Sequence, residues 1–104
     1  MKSTEFITEN QSARLKDFCK VATNFEDADF WLQRKGSIDT VGTPLKEFAP
    51  QHIGIKVVRT DVLNPKYLYY KMMDIYNTGY WKQHSHGTLK LVNIKTDDVK
   101  NLGL

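Results

Sequence analysis

An Asn-Pro pair at residues 64–65 opens the segment that most constrains how this chain can fold. Asparagine is a favoured N-cap, and proline at the first helical position costs nothing because that N–H has no partner within a helix. Apolar side chains then recur at helical spacing at Leu68, Met72, Ile75 and Tyr76. Asn77-Thr78-Gly79 follows, and its glycine suits the left-handed conformation that often ends a helix. The sequence therefore predicts a helix that begins at Pro65 and stops at this tripeptide.

Three other segments have the composition of strands. The clearest covers residues 53–59, where Ile53, Ile55 and Val57 alternate with Gly54, Lys56 and Val58. Since Gly54 has no side chain, we expect another part of the chain to approach that face closely. Residues 30–34 and 89–94 are also rich in strand-forming residues. These patterns predict an α+β fold with a small mixed or antiparallel sheet and two main helices.

The second main helix is expected near the N-terminus, over residues 8–23. Thr8 and Gln11 have the spacing of a capping box. One apolar stripe is formed by Leu15, Phe18, Cys19 and Ala22. Cys19 is interpreted as a small core residue because it lies on that stripe. We expect a single domain over residues 1–104, with an N-terminal helical segment (1–28) and an α+β core (29–104).

The size and composition of the chain exclude several classes of protein. A chain of 104 residues is too short for a (β/α)₈ barrel or a dinucleotide fold with two halves. Its single cysteine excludes an intrachain disulfide and zinc sites built on several cysteines, and favours a reducing compartment. No apolar run approaches the roughly 18 residues of a membrane span. A cytoplasmic protein with no membrane partner is expected.

The net charge of +3 is unevenly distributed. Residues 1–51 hold seven Lys/Arg and eight Asp/Glu, a net of −1, whereas residues 52–104 hold eight Lys/Arg and four Asp, a net of +4. Two interpretations stay open at this point. The charges solvate ordinary surface elements, or the second half of the chain presents a surface to a polyanion.

No motif for catalysis or cofactor binding is present. His84-x-His86, with His52 as a third histidine, is the only pair that resembles a metal site, and no cysteine completes it. A solvated loop is the preferred interpretation, so neither a metal nor a cofactor is expected. The patterns of serine hydrolases, phosphate-binding loops, dinucleotide folds and zinc proteases are absent from the sequence. We expect a protein that is not an enzyme.

All five tyrosines fall between residues 67 and 80 and are followed directly by Trp81. One helix cannot bury all of them, because residues 67, 69 and 70 point in different directions. Tyr69 and Tyr76 are expected to pack against the sheet. The others are interleaved with lysines, and this set can contact phosphates or bases: Lys66, Tyr67, Tyr70, Lys71, Tyr80 and Lys82.

Several short patterns in residues 30–104 resemble one target recognition domain of type I restriction–modification specificity subunits. They are Arg34-Lys35-Gly36-Ser37-Ile38, Asn64-Pro65-Lys66-Tyr67-Leu68-Tyr69-Tyr70, and Gly87-Thr88 before Leu91-Val92-Asn93-Ile94-Lys95. The resemblance implies a non-catalytic module that binds double-stranded DNA while partner subunits do the chemistry. Together with the interleaved lysines, it predicts these DNA-binding residues: Arg34, Lys35, Ser37, Lys66, Tyr67, Tyr70, Lys71, Thr88, Lys90 and Asn93.

The chain also departs from that family. A specificity subunit has two recognition domains separated by long helices, whereas this sequence has one domain and no spacer helix. A lone domain is compatible with a homodimer that reads two half-sites, and with a methyltransferase or another host protein as partner. The alternative is a phage or mobile-element protein-interaction module that engages host restriction or replication machinery without DNA readout. A small nuclease is a third hypothesis, but Asp97-Asp98 is more simply a helix cap.

Overall fold

A computed structural model describes residues 13–88 and 90–103 of the chain. The strands are β1 (Cys19–Thr23), β2 (Phe30–Leu32), β3 (Lys35–Gly36), β4 (Pro44–Leu45), β5 (Ile53–Val57), β6 (His86–Gly87) and β7 (Val92–Asn93). The helices are α1 (Pro65–Asn77), α2 (Tyr80–His84) and α3 (Thr96–Lys100), preceded by a 3-10 turn at Leu15–Asp17. The predicted α+β class is confirmed. None of the helices in the described ranges is long and apolar enough to cross a bilayer.

The strands form two antiparallel sheets. The larger sheet has the order β1-β5-β2-β4, and the smaller has the order β3-β7-β6. Strand β5 lies inside the larger sheet, paired with β1 over five residues and with β2 over three. The two sheets are joined directly through the chain, because β3 begins three residues after β2 ends.

Strand β5 supplies the centre of the core. Ile53, Ile55 and Val57 are buried, as their alternation predicts. The expected close approach at Gly54 is confirmed, because a Cβ there would lie 2.8 Å from the Cβ of Ala28. The loop between β1 and β2 therefore lies directly over this face of the sheet.

Helix α1 forms where its capping signals predict. The side-chain oxygen of Asn64 accepts hydrogen bonds from the backbone N–H groups of Lys66 and Tyr67, at 2.8 and 3.1 Å. Leu68 and Met72 are fully buried on its inner face. Gly79 follows the helix with a φ of +82°, in the left-handed region. Contacts with β4 and α2 hold the helix at one edge of the larger sheet.

The prediction of a helix over residues 8–23 is wrong for its C-terminal part. Residues 19–23 form β1, and among residues 13–23 the helical part is a single 3-10 turn at Leu15–Asp17. The physical reason is that Cys19 and Val21 also alternate with exposed residues, a pattern that suits an edge strand. Five antiparallel pairs with β5 then outweigh the helical spacing. Thr8 and Gln11 lie outside the described residues.

The strand expected over residues 89–94 is shorter than predicted. Among residues 90–94, only Val92–Asn93 forms a strand, because the chain turns immediately before it. Thr88 and Leu91 close that turn, with the N–H of Thr88 donating to the Leu91 carbonyl at 3.2 Å. The preceding residues His86–Gly87, expected as part of a loop, pair with β7 as β6. Strands β6 and β7 thus pair as a small antiparallel ribbon.

Candidate nucleic-acid interface

Four of the ten predicted DNA-binding residues share one surface at the start of α1. We call this set the helix patch: Lys66, Tyr67, Tyr70 and Lys71. They occupy two i, i+4 pairs, which places them side by side on the helix. Tyr67 is 60% exposed and Tyr70 is 56% exposed, although large aromatic rings are usually buried more deeply. None of the salt bridges between described residues involves the two lysines of the patch.

A second group lies on the smaller sheet, and we call it the sheet patch: Lys35, Thr88, Lys90 and Asn93. Lys35 on β3 is directly opposite Asn93 on β7, so their side chains project from the same face. Asn93 donates weakly from its side-chain amide to the carbonyl of His86, at 3.4 Å. Thr88 and Lys90 lie in the adjoining turn and are exposed. The fold therefore brings together residues that are up to 58 positions apart in the sequence.

The remaining two predicted residues have partners within the protein. Arg34 donates from Nε to the carbonyl of Gln51 at 3.1 Å, which ties it to the segment before β5. The hydroxyl of Ser37 lies 3.3 Å from that of Thr40 and accepts a bond from the N–H of Asp39. Arg34 and Ser37 lie directly before and after β3, the strand that carries Lys35. They support the sheet patch through local structure.

Lys46 is a basic residue near the helix patch that the sequence does not single out. It is exposed, and its Nζ lies 4.9 Å from the ring centre of Tyr69 on α1. The residue follows β4 in a segment flanked by Pro44 and Pro50, which the sequence marks only as irregular. Its proximity to α1 depends on the pairing of β4 with β2. The local sequence around Lys46 does not predict that pairing.

His84 and His86 each contact a side chain of another residue. His84 stacks on Tyr80 with ring centres 4.0 Å apart, and His86 contacts Asp98 through Nε2 at 2.9 Å. The same carboxylate accepts the backbone N–H of Lys95 and so caps α3. Within residues 13–88 and 90–103, no group of three His, Cys, Asp or Glu side chains is arranged to hold a metal.

Burial shifts the pKa values of two further groups that could act as nucleophile or base, Cys19 and His52. Burial raises the pKa of Cys19 to about 11, and the negative charge of Asp29 acts in the same direction. Partial burial lowers the pKa of His52 below its ordinary value. Cys19 therefore carries a neutral thiol at physiological pH, as its predicted core position implies.

No protein-family model matches this chain, and searches of curated proteins and of solved structures also find no match.

Proposed function

We propose that this protein is a non-catalytic module that binds double-stranded DNA, as the resemblance of residues 30–104 to target recognition domains implies. The helix patch is the observation that carries the proposal. Two lysines without a described carboxylate partner flank two exposed tyrosines on one side of α1. Such a surface suits a phosphate backbone, because lysines pair with phosphates and tyrosine hydroxyls donate to them.

The sheet patch supplies a complementary chemistry. Lys35 and Lys90 add two exposed cations, and Asn93 adds a side-chain amide beside Lys35. An amide can both donate to and accept from the edge of a base, which a lysine cannot. In this proposal the lysines position the duplex and Asn93 contributes to sequence preference.

The salt dependence of binding tests this proposal. A fluorescein-labelled duplex is titrated with the full chain at several salt concentrations, and binding is followed by fluorescence anisotropy. The slope of log K against log[salt] is negative, and each lost phosphate contact makes it less steep by about 0.9. If each lysine contacts one phosphate, the double variant Lys66→Ala/Lys71→Ala is expected to have a slope that is less steep by about 1.8.

A matched control removes the same charge elsewhere. Lys16 lies in the 3-10 turn and Lys100 in α3, and both elements pack at the β1 edge, opposite the β4 edge that α1 contacts. The double variant Lys16→Ala/Lys100→Ala should retain the slope of the parent protein. Absence of duplex binding at low salt, or equal losses in the two double variants, would contradict the proposal.

The second candidate is a protein-interaction module. Val58 and Val62, in the segment that leads into α1, are 58% and 57% exposed, which favours contact with an apolar partner surface. A methyltransferase, another host protein or a second copy of the chain is the expected partner. This candidate predicts that a partner survives nuclease treatment in a pull-down and is lost in Val58→Ser/Val62→Ser, while Lys66→Ala/Lys71→Ala retains it.

A further inference from the structure

A cleft opens between α1 and the β2–β4 edge of the larger sheet, beside the helix patch. It has a volume of about 390 Å³ and is lined by aromatic rings and by charged side chains of both signs. Its lining includes Asp29, Phe30, Lys46, Lys66, Tyr69 and Tyr70. This volume lies in the range of small-molecule sites, and the combination of flat rings with two cations indicates a ligand that is both aromatic and anionic.

Three of the lining residues are aromatic, and their rings pack against one another in series. Phe30 meets Tyr69 edge to face at 5.4 Å, and Tyr69 meets Tyr70 in the same way at 5.4 Å. Phe30 is fully buried and Tyr69 half-buried, so these two rings are held by the core. Tyr70 is more than half exposed, which leaves ring surface on which a planar group can stack.

The two cations that line the cleft come from different elements. Lys46 reaches over Tyr69 from the segment after β4, and Lys66 stands in the first turn of α1. The first free N–H groups of α1 are occupied by Asn64, so an anion in the cleft must be bound by the lysines. Two lysines that approach from different elements can bind different oxygens of one phosphate.

The carboxylate of Asp29 completes the cleft. Its Oδ2 accepts the backbone N–H of Val57 at 2.8 Å, which fixes the orientation of the group. Among the described residues, no hydrogen bond engages the other oxygen, Oδ1, and Asp29 is one of the residues that line the cleft. An acceptor of this kind favours a ring that carries an amino group.

We propose that this cleft binds a single unpaired nucleotide, with the base stacked on Tyr70, its amino group directed to Asp29, and its phosphate held by Lys46 and Lys66. The inference extends the proposed DNA binding, since a nucleotide displaced from a duplex beside the helix patch can reach this cleft. It requires that a base with an amino group, namely adenine, cytosine or guanine, is bound in preference to thymine, which has none.

Titration of the full chain with 5′-dAMP, 5′-dTMP and ribose 5-phosphate, followed by ¹⁵N–¹H NMR, tests the inference. We expect 5′-dAMP to bind more tightly than 5′-dTMP, with shift changes at Lys46, Lys66 and Tyr70, and ribose 5-phosphate to bind weakest. Loss of base stacking in Tyr70→Ala is expected to weaken 5′-dAMP binding about 5- to 150-fold. Tyr70→Phe, which keeps the ring, should retain it.

Tyr67→Ala provides the matched comparison, because Tyr67 is as exposed as Tyr70 on the same helix but does not line the cleft. Because Tyr67 belongs to the helix patch, its loss is expected to weaken duplex binding while 5′-dAMP binding is retained. Equal binding of 5′-dAMP and ribose 5-phosphate would overturn the inference and leave a simple anion site. No binding of any of the three compounds, or equal losses in Tyr67→Ala and Tyr70→Ala, would overturn it as well. The outcome is separable from the proposed function: duplex binding without nucleotide binding refutes only the cleft, and the reverse refutes only duplex recognition.

Discussion

Gly42 and Gly79 offer a matched test of how tightly the core is packed around Trp81. Both residues have a positive φ, +86° and +82°, so an alanine at either position incurs the same left-handed backbone strain of about 1–2 kcal/mol. They differ in the space around them. A Cβ on Gly42 would lie 2.5 Å from Cγ and 2.6 Å from Nε1 of Trp81, whereas the nearest atom to a Cβ on Gly79 is 4.0 Å away.

The indole of Trp81 has little freedom to move away from a new methyl group. The residue is 1% exposed, and Tyr80 packs against it edge to face at 4.9 Å. The backbone of Gly42 is also held, because its N–H donates to the Gln33 carbonyl at 2.8 Å. Overpacking of this kind typically costs about 1–3 kcal/mol. We therefore expect Gly79→Ala to lower the free energy of unfolding by about 1–2 kcal/mol and Gly42→Ala by about 2–5 kcal/mol.

Urea denaturation followed by far-UV circular dichroism measures both values without relying on tryptophan fluorescence, which the change at Gly42 would itself alter. The difference between the variants isolates the contact with Trp81, because the backbone term is shared. Equal losses for the two variants would refute the packing around Trp81 described above. A stable Gly42→Ala protein with parent-like unfolding would refute it more strongly.

Three further predictions concern local features of the fold. Because burial raises the pKa of the Cys19 thiol to about 11 while the unfolded thiol ionises near 9.0, stability should fall as the pH rises from about 9 to 11, and this fall should be smaller in Cys19→Ala by urea denaturation. The same thiol should react with a disulfide reagent such as DTNB only after denaturant is added, and rapid reaction of the native protein would contradict its buried position. Asn64→Ala should lower the free energy of unfolding by about 1 kcal/mol through loss of the α1 cap, whereas Asn64→Asp, which keeps an acceptor, should stay near the parent value.

Helix α1 was predictable from the sequence because every signal for it is local. The cap, the proline, the apolar stripe and the terminal glycine lie within 16 residues, from Asn64 to Gly79. Strand β1 was not predictable in the same way. Its five residues fit a helical stripe and a strand alternation equally well, and the outcome is decided by pairing with β5, 30 to 38 positions later. Local patterns do not contain that information.

In the candidate site, too, some features follow from local sequence and others depend on contacts between distant segments. The helix patch follows from the sequence, because residues at i and i+4 on one helix must be neighbours. The pairing of Lys35 with Asn93 and the approach of Lys46 to Tyr69 depend on strand pairings between distant segments. The sequence also gives no reason to distinguish Lys35, which is exposed, from Arg34, whose Nε is bonded to the carbonyl of Gln51.

The tyrosines of α1 connect the fold to the proposed function. Tyr76 donates its hydroxyl to the carbonyl of Asp39, and Tyr69 packs on Phe30, so both anchor the helix to the strands and turns beneath it. Tyr67 and Tyr70 point outward from the same helix. Neither of these two anchoring contacts involves Tyr67 or Tyr70, so substitution of an exposed ring removes a binding surface while both contacts remain. This separation is what allows the binding experiments with Tyr67 and Tyr70 to be read as effects on binding, with stability largely unchanged.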